Sequence, residues 1–158
     1  MKATALREEE IVLLYALVMS GQRPSGARAK RFIIANHLLT ERRTDHRLYS
    51  GGESGAEKRI TSTRNSLSDK KQLSTEETGV WGITAEGICR LEHVAIWSTT
   101  LEQPDDEQGT LLLGIPWAKF SEEFLTRLKM LGHGLVERNQ EMEQRAGPAS
   151  ESPPSTTN

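Results

Sequence analysis

Apolar residues recur at steps of three and four near the start of the chain. Leu6, Leu13 and Leu17, with Val12, Ala16 and Met19, predict a helix over 4–20. Thr4 suits its N-cap and Gly21 its end. The apolar face is broad, as in a helix buried within a core. A second helix is predicted over 25–39, with Phe32, Ile33, Ala35, Asn36 and Leu39 inward and Arg28, Lys30 and Arg31 nearer its start. The periodicity then lapses. Residues 40–55 hold Arg42, Arg43, His46, Arg47, Gly51, Gly52 and Gly55, and read as a basic, flexible loop. A third helix, from Ser54 or Gly55 to Gln72, has a thin stripe of Ala56, Ile60, Thr63 and Leu67. Its other side carries Lys58, Arg59, Ser62, Asn65, Ser66 and Asp69.

The period changes after Gln72. Leu73 and Ser74, a turn-like Thr75–Gly79, and Val80, Trp81, Gly82 and Ile83 read as a two-stranded hairpin. Thr84 can cap a fourth helix over 85–98, with Glu86 favoured near its positive end. Ile88, Leu91 and Ala95 pack inward there, with Trp97 as a further candidate. Residues 99–115 form a linker, and Leu111–Ile115 within it is a short apolar run that suits a strand or an extended plug. Pro116 is placed to open a C-terminal helix over 116–145. Trp117, Phe120, Phe124, Leu128, Leu131 and Leu135 form one stripe, close to a heptad seam. At about 1.5 Å per residue that helix spans roughly 43 Å, more than a hundred-residue domain covers. A homodimer seam is the economical expectation, and a helix folded back on its own domain is the alternative. Gly132 and Gly134 either break this helix or admit a close partner. Residues 146–158, rich in Pro, Ser and Thr, are expected to be disordered.

The order helix, helix, loop, helix, hairpin, helix is that of a winged helix-turn-helix domain over 1–98. Between Arg59 and Leu91 the chain reads R-I-T-S-T-R-N-S-L-S-D-K-K-Q-L, a polar turn, then G-V-W-G-I-T-A-E-G-I-C-R-L. These residues resemble the N-terminal winged-helix domain of Mrr-type restriction proteins, with the resemblance covering roughly 8–97. It implies a mainly α fold with a small β-hairpin wing, to which the C-terminal amphipathic helix is added. It also implies a DNA-recognition module. The nuclease domain of that family has no counterpart in the remaining residues. A non-catalytic protein is therefore expected, acting with a separate nuclease or as a transcriptional regulator.

Composition narrows the rest. Of 158 residues, 35% are hydrophobic and 27% charged, enough for one modest core. The apolar run Ile11–Met19 is far below the roughly 18 residues that span a bilayer. The first ten residues lack a secretion signal, and a single cysteine, Cys89, rules out an intrachain disulfide. Both suit a reducing, cytoplasmic setting and no membrane partner. The net charge of −2 hides an asymmetry: residues 1–73 carry +6 and residues 74–158 carry −8. A basic half of this kind points to nucleic acid.

Duplex DNA is accordingly the expected partner. A recognition helix enters the major groove and reaches base edges. Arg59, Ser62 and Ser66 fall at steps of three and four and are expected to share one exposed face, with Asn65 beside them. Lys58, Lys70 and Lys71, with Arg42, Arg43 and Arg47 on the loop, suit phosphates. The alternative for Arg59 and Arg64 is a structural ion pair with Glu57 or Glu53, and Arg64 could brace the core. The wing turn has Glu76 and Glu77 and no basic residue. It points away from DNA, or the module docks a protein partner instead. Cys89 and His93 lack a second pair with zinc spacing, so no metal is expected and Cys89 reads as a small buried residue. Gly51–Gly55 lacks the ending of a phosphate-binding loop. No nucleophile elbow or carboxylate pair stands out, and neither a cofactor nor catalysis is expected.

Overall fold

The computed structural model describes residues 8–42, Asp45, Leu48, 52–100 and 117–151. Thr4, Leu6, Arg43, Arg47, the linker from 101 onward, Pro116 and the tail beyond 151 lie outside them. Among the described residues there are five α-helices and one small antiparallel sheet. They are α1 (Glu8–Met19), α2 (Gly26–Ala35), α3 (Gly55–Asp69), β1 (Leu73–Ser74), β2 (Gly82–Ile83), α4 (Ala85–Ser98) and α5 (Glu122–Glu151), with a 3₁₀ turn at Trp117–Lys119 before α5. No described helix is long and apolar enough to cross a membrane.

Helix α1 is the hub. Every residue from Ile11 to Leu17 is buried, whichever side of the helix it occupies. Helices α2, α3 and α4 all pack on it. A helix apolar all round can exist in water only when it is enclosed in this way. Each partner contributes a narrower stripe: Ala29 and Ile33 from α2, Ile60, Thr63 and Leu67 from α3, Leu91, Val94 and Ala95 from α4.

The helix starts follow their side-chain caps. Ser25, Ser54 and Thr84 each accept a hydrogen bond from the backbone three residues on, and Glu57 returns the favour to Ser54 as a capping box. The ends fall earlier than apolar spacing suggests. Helix α2 stops at Ala35 and α3 at Asp69, because His37 (φ 53°) and Lys71 (φ 62°) turn left-handed. Each turn is closed by paired backbone bonds: His37 N to Ile34 O and Leu38 N to Ile33 O, then Lys71 N to Ser68 O and Gln72 N to Leu67 O.

Strands β1 and β2 pair Leu73 with Ile83 and Ser74 with Gly82. The segment before α2 extends this pairing. Trp81 N donates to Pro24 O at 2.8 Å, Ile83 N to Gln22 O at 2.9 Å, and Ser25 bridges Val80 antiparallel. The hairpin is thereby stitched to the entrance of α2. Trp81 sits against the first turn of α2, where a Cβ on Gly26 would lie 2.6 Å from its ring.

The C-terminal helix differs from expectation at both ends. The 3₁₀ turn comes first, then Ser121 caps α5, its Oγ 3.1 Å from Phe124 N and from the carbonyl oxygens of His37 and Leu38. The helix runs through Gly132, Gly134 and on to Glu151, past the predicted boundary at 145. Its stripe lies inside the same chain. Trp117, Phe120, Phe124, Leu128 and Leu135 are buried, and Leu131 is half-buried against the core. Edge-to-face rings run from Trp117 to Phe120 (5.9 Å), Phe124 (5.1 Å) and Tyr15 of α1 (5.4 Å). Along α4 the fit is close: a Cβ on Gly132 would stand 2.0 Å from Ala95 O. Gly132 thus admits α4 of its own chain, and the residues assigned to a dimer seam are occupied by the fold-back arrangement.

Candidate nucleic-acid interface

Helix α3 turns Ile60, Thr63 and Leu67 inward, and this sets the direction of every other side chain on it. Arg59, Ser66 and Lys70 fall on the edge that faces the start of α1. Lys58, Ser62, Asn65 and Asp69 form the exposed outer ridge. Thr61 and Arg64 fall on the edge toward α2 and Trp81. The expectation that Arg59, Ser62 and Ser66 share an exposed face therefore fails for two of the three. Ser62 is exposed, whereas Arg59 and Ser66 reach α1.

What draws them there is a buried acidic turn. Glu8, Glu9 and Glu10 open α1 and are almost wholly enclosed. The positive end of the helix favours them, but burial of three carboxylates demands cations. Arg59 donates to Glu9 Oε2 through Nε (3.2 Å) and Nη2 (2.9 Å), and through Nη1 to Asp45 Oδ1 (3.0 Å), Asp45 Oδ2 (2.9 Å) and Thr40 O (3.2 Å). Its side chain is 12% exposed. The structural ion-pair alternative thus describes Arg59, with Glu9 and Asp45 as partners in place of Glu57 or Glu53. Arg42, half-exposed, approaches Glu8 at 3.3 Å and Glu9 at 3.1 Å. Lys70 donates to Glu10 Oε1 at 2.9 Å, Ser66 to Glu10 Oε2 at 3.2 Å, and Arg90 of α4 lies 2.9 Å from Glu10 Oε1.

The electrostatics of this cluster follow. Burial works to raise Glu10, but the Lys70 hydrogen bond and the Arg90 charge outweigh it and hold the carboxyl below its ordinary value. Burial pushes Glu8 up, and the neighbouring Glu9 charge adds to the push. Its Oε2 has no hydrogen-bond partner among the described residues. Burial works to lower Arg59, but the hydrogen bonds to Glu9 and Asp45 prevail and raise it further. Arg42, Arg59 and Lys70 are therefore committed to carboxylates, and a phosphate would have to compete for them.

The edge toward α2 holds a second set of charges. Arg64 Cζ stands 5.6 Å from the Trp81 ring centre, and Lys30 Nζ stands 5.7 Å from it. Lys30 also donates to Glu53 at 2.9 Å. That bond, helped by Thr61, holds the Glu53 carboxyl below its ordinary value. Arg64 has no carboxylate partner among the described residues and donates instead to Asn65 Oδ1. Spacing alone left Arg64 beside the stripe. The pairing of the hairpin with the α2 entrance, which carries Trp81 under it, is what places it.

The remaining predicted residues divide simply. Lys58, Ser62 and Asn65 are exposed on the ridge. Arg43 and Arg47 lie outside the described residues. In the hairpin turn Glu76 and Glu77 are exposed, and Arg23 pairs with Glu77 at 2.8 Å. Cys89 is exposed on α4, not buried as expected. The adjacent turn of that helix joins Trp97 Nε1 to His93 Nε2 at 2.9 Å. Among the described residues no group of three or more acidic, cysteine or histidine side chains is placed to hold a metal. No family model, curated protein or solved structure matches the chain.

Proposed function

We propose that the chain is a winged helix-turn-helix module that binds duplex DNA through the outer ridge of α3 and has no catalytic role of its own. The observation that carries this reading is the ridge itself. Lys58, Ser62 and Asn65 stand exposed on one face of the third helix, next to an Arg64 that no carboxylate engages among the described residues. The hairpin stitched to the start of α2 is compatible with a wing. Arg42, Arg59 and Lys70 drop out of the contact set, because their charge is spent on Glu8, Glu9, Glu10 and Asp45. Among the described residues, Lys58, Arg64 and the exposed Arg31 of α2 are the cations assigned to phosphates in this reading. Whether the role is restriction alongside a separate nuclease or transcriptional regulation, this surface is the same.

Titration of a labelled duplex against salt tests the reading. Three phosphate contacts give a slope of about −2.7 in log affinity against log salt, or roughly a 40-fold loss between 50 and 200 mM. Lys58→Ala should flatten that slope by about one contact, and Arg42→Ala should leave it unchanged. Absence of duplex binding at 50 mM salt, with or without base methylation, ends the DNA reading. A specific observation then favours docking of a protein partner by the same ridge: three predicted cations are neutralised internally, and Asp69, Glu76 and Glu77 are exposed around it. A homodimer, if formed, would use a surface other than the buried stripe of α5.

A further inference from the structure

We propose that Asn65 is a specificity-determining residue that favours guanine over adenine. This rests on the DNA-binding reading above. An asparagine that reads adenine needs both halves of its amide: the carbonyl accepts from N6 and the amino group donates to N7. In this chain the carbonyl half is already taken. Arg64 Nε lies 3.0 Å from Asn65 Oδ1, and Arg64 Nη2 also donates to that oxygen. The guanidinium can only donate, so the atom facing it is the amide oxygen and not the nitrogen.

Arg64 is itself held in place. Its guanidinium lies over Trp81, which is 6% exposed and fixed between the hairpin and Gly26. Asn65 therefore offers solvent its Nδ2 amino group, which makes no hydrogen bond among the described residues. One turn earlier on the same ridge, the exposed Ser62 hydroxyl is likewise unbonded there. Beside the Asn65 amide N–H groups the ridge thus offers the Ser62 hydroxyl, which can donate as well as accept. In the major groove guanine shows two adjacent acceptors, N7 and O6, whereas adenine shows one acceptor beside an amino donor. A donor-only asparagine meets guanine with both contacts and adenine with one contact and a donor facing a donor.

Selection from a random duplex pool by the full chain at low salt, followed by titration of single-base variants of the selected duplex, tests this. The wild-type chain is expected to prefer guanine over adenine at one position by roughly five- to hundred-fold. Asn65→Ala, at an exposed position, should erase that preference. Arg64→Ala releases the amide oxygen and should move the preference at the same position toward adenine. Binding with no base preference, adenine selected by the wild type, or a guanine preference that survives Asn65→Ala would each overturn the proposal while leaving the DNA-binding reading intact. Absence of any duplex binding overturns both.

Discussion

At the scale of single residues, the three glutamates that open α1 behave differently although they are neighbours. Glu10 is surrounded by Lys70, Arg90 and Ser66, while Glu8 has an oxygen with no partner among the described residues. The signs of their contributions are opposite. The Glu10 carboxyl is lowered in the folded state, so its stabilisation is present above the ordinary carboxylate value and is lost as pH falls through the lowered one. The Glu8 carboxyl is raised, so it favours folding below the ordinary value and opposes folding once pH rises through the raised one. Glu10→Gln, which strands two cations, is expected to cost about 3–5 kcal/mol at pH 7. That cost should shrink below roughly pH 4, where the unfolded carboxyl also takes up a proton. Glu8→Gln keeps an acceptor for Arg42 and sheds a charge that burial opposes, so stability at pH 7 should hold or rise. Urea unfolding at both pH values decides this. An equal loss in the two variants would mean that the Arg42 contact outweighs the burial of Glu8. Arg59→Ala takes the shared guanidinium away from the buried Glu9 and Asp45, leaving Glu9 with the half-exposed Arg42, and should cost about 3–5 kcal/mol, with no change in base preference.

At the scale of elements, α5 crosses α4 closely, and two glycines two residues apart separate its causes. Gly132 lies on the contact, where an added methyl group would meet Ala95 O at 2.0 Å and Thr99 Cγ2 at 2.7 Å. Gly134 has open space beside it. Gly132→Ala must push the helices apart and should destabilise by about 1–3 kcal/mol. Gly134→Ala gains helix propensity with nothing to strike and should stabilise by up to about 1 kcal/mol. Thermal unfolding of the two variants reads both signs, and a neutral Gly132→Ala would refute the close crossing. The sequence pattern captures such elements unevenly. Helix α4, its Thr84 cap and the hairpin are legible, because period, turn residues and capping chemistry are local. The ends of α2 and α3 are not, because the left-handed residues that close them are His37 and Lys71, not glycine. The location of the proposed DNA face is legible only in part. Spacing puts Arg59 and Ser62 within one broad face, but only the packing of α3 on α1 decides that Arg59 turns to carboxylates about fifty positions earlier in the chain.

At the scale of the whole molecule, the basic half and the acidic half are interlocked. The cations of α3 neutralise the acidic start of α1, and the acidic half supplies Arg90 to the same cluster and α5 to the core. The charge asymmetry along the sequence therefore overstates the positive surface, and this limits the salt dependence expected of DNA binding. It also changes what removal of the C-terminal helix does. A chain ending at Pro104 would expose Tyr15 and the α4 face that holds Ala95. It should lose cooperative unfolding, and not merely fall from a dimer to a monomer. Circular dichroism melts of that truncated chain, with the full chain as control, test this. A sharp transition retained by the truncated form would show that the first hundred residues fold alone.

The enclosure of α1 also has a consequence for biosynthesis. The helix at the centre of the core is made before the elements that pack on it, and Phe124, which packs on its Tyr15, is made more than a hundred residues later. At about 5–20 residues per second, α1 leaves the ribosome several seconds before that covering ring. Through that interval the described elements present to shield its apolar surface are α2, α3, α4 and the hairpin. Final closure of the core must wait until α5 has emerged, so a nascent chain stalled before Phe124 should be open to proteases and to chaperones that the finished protein no longer engages.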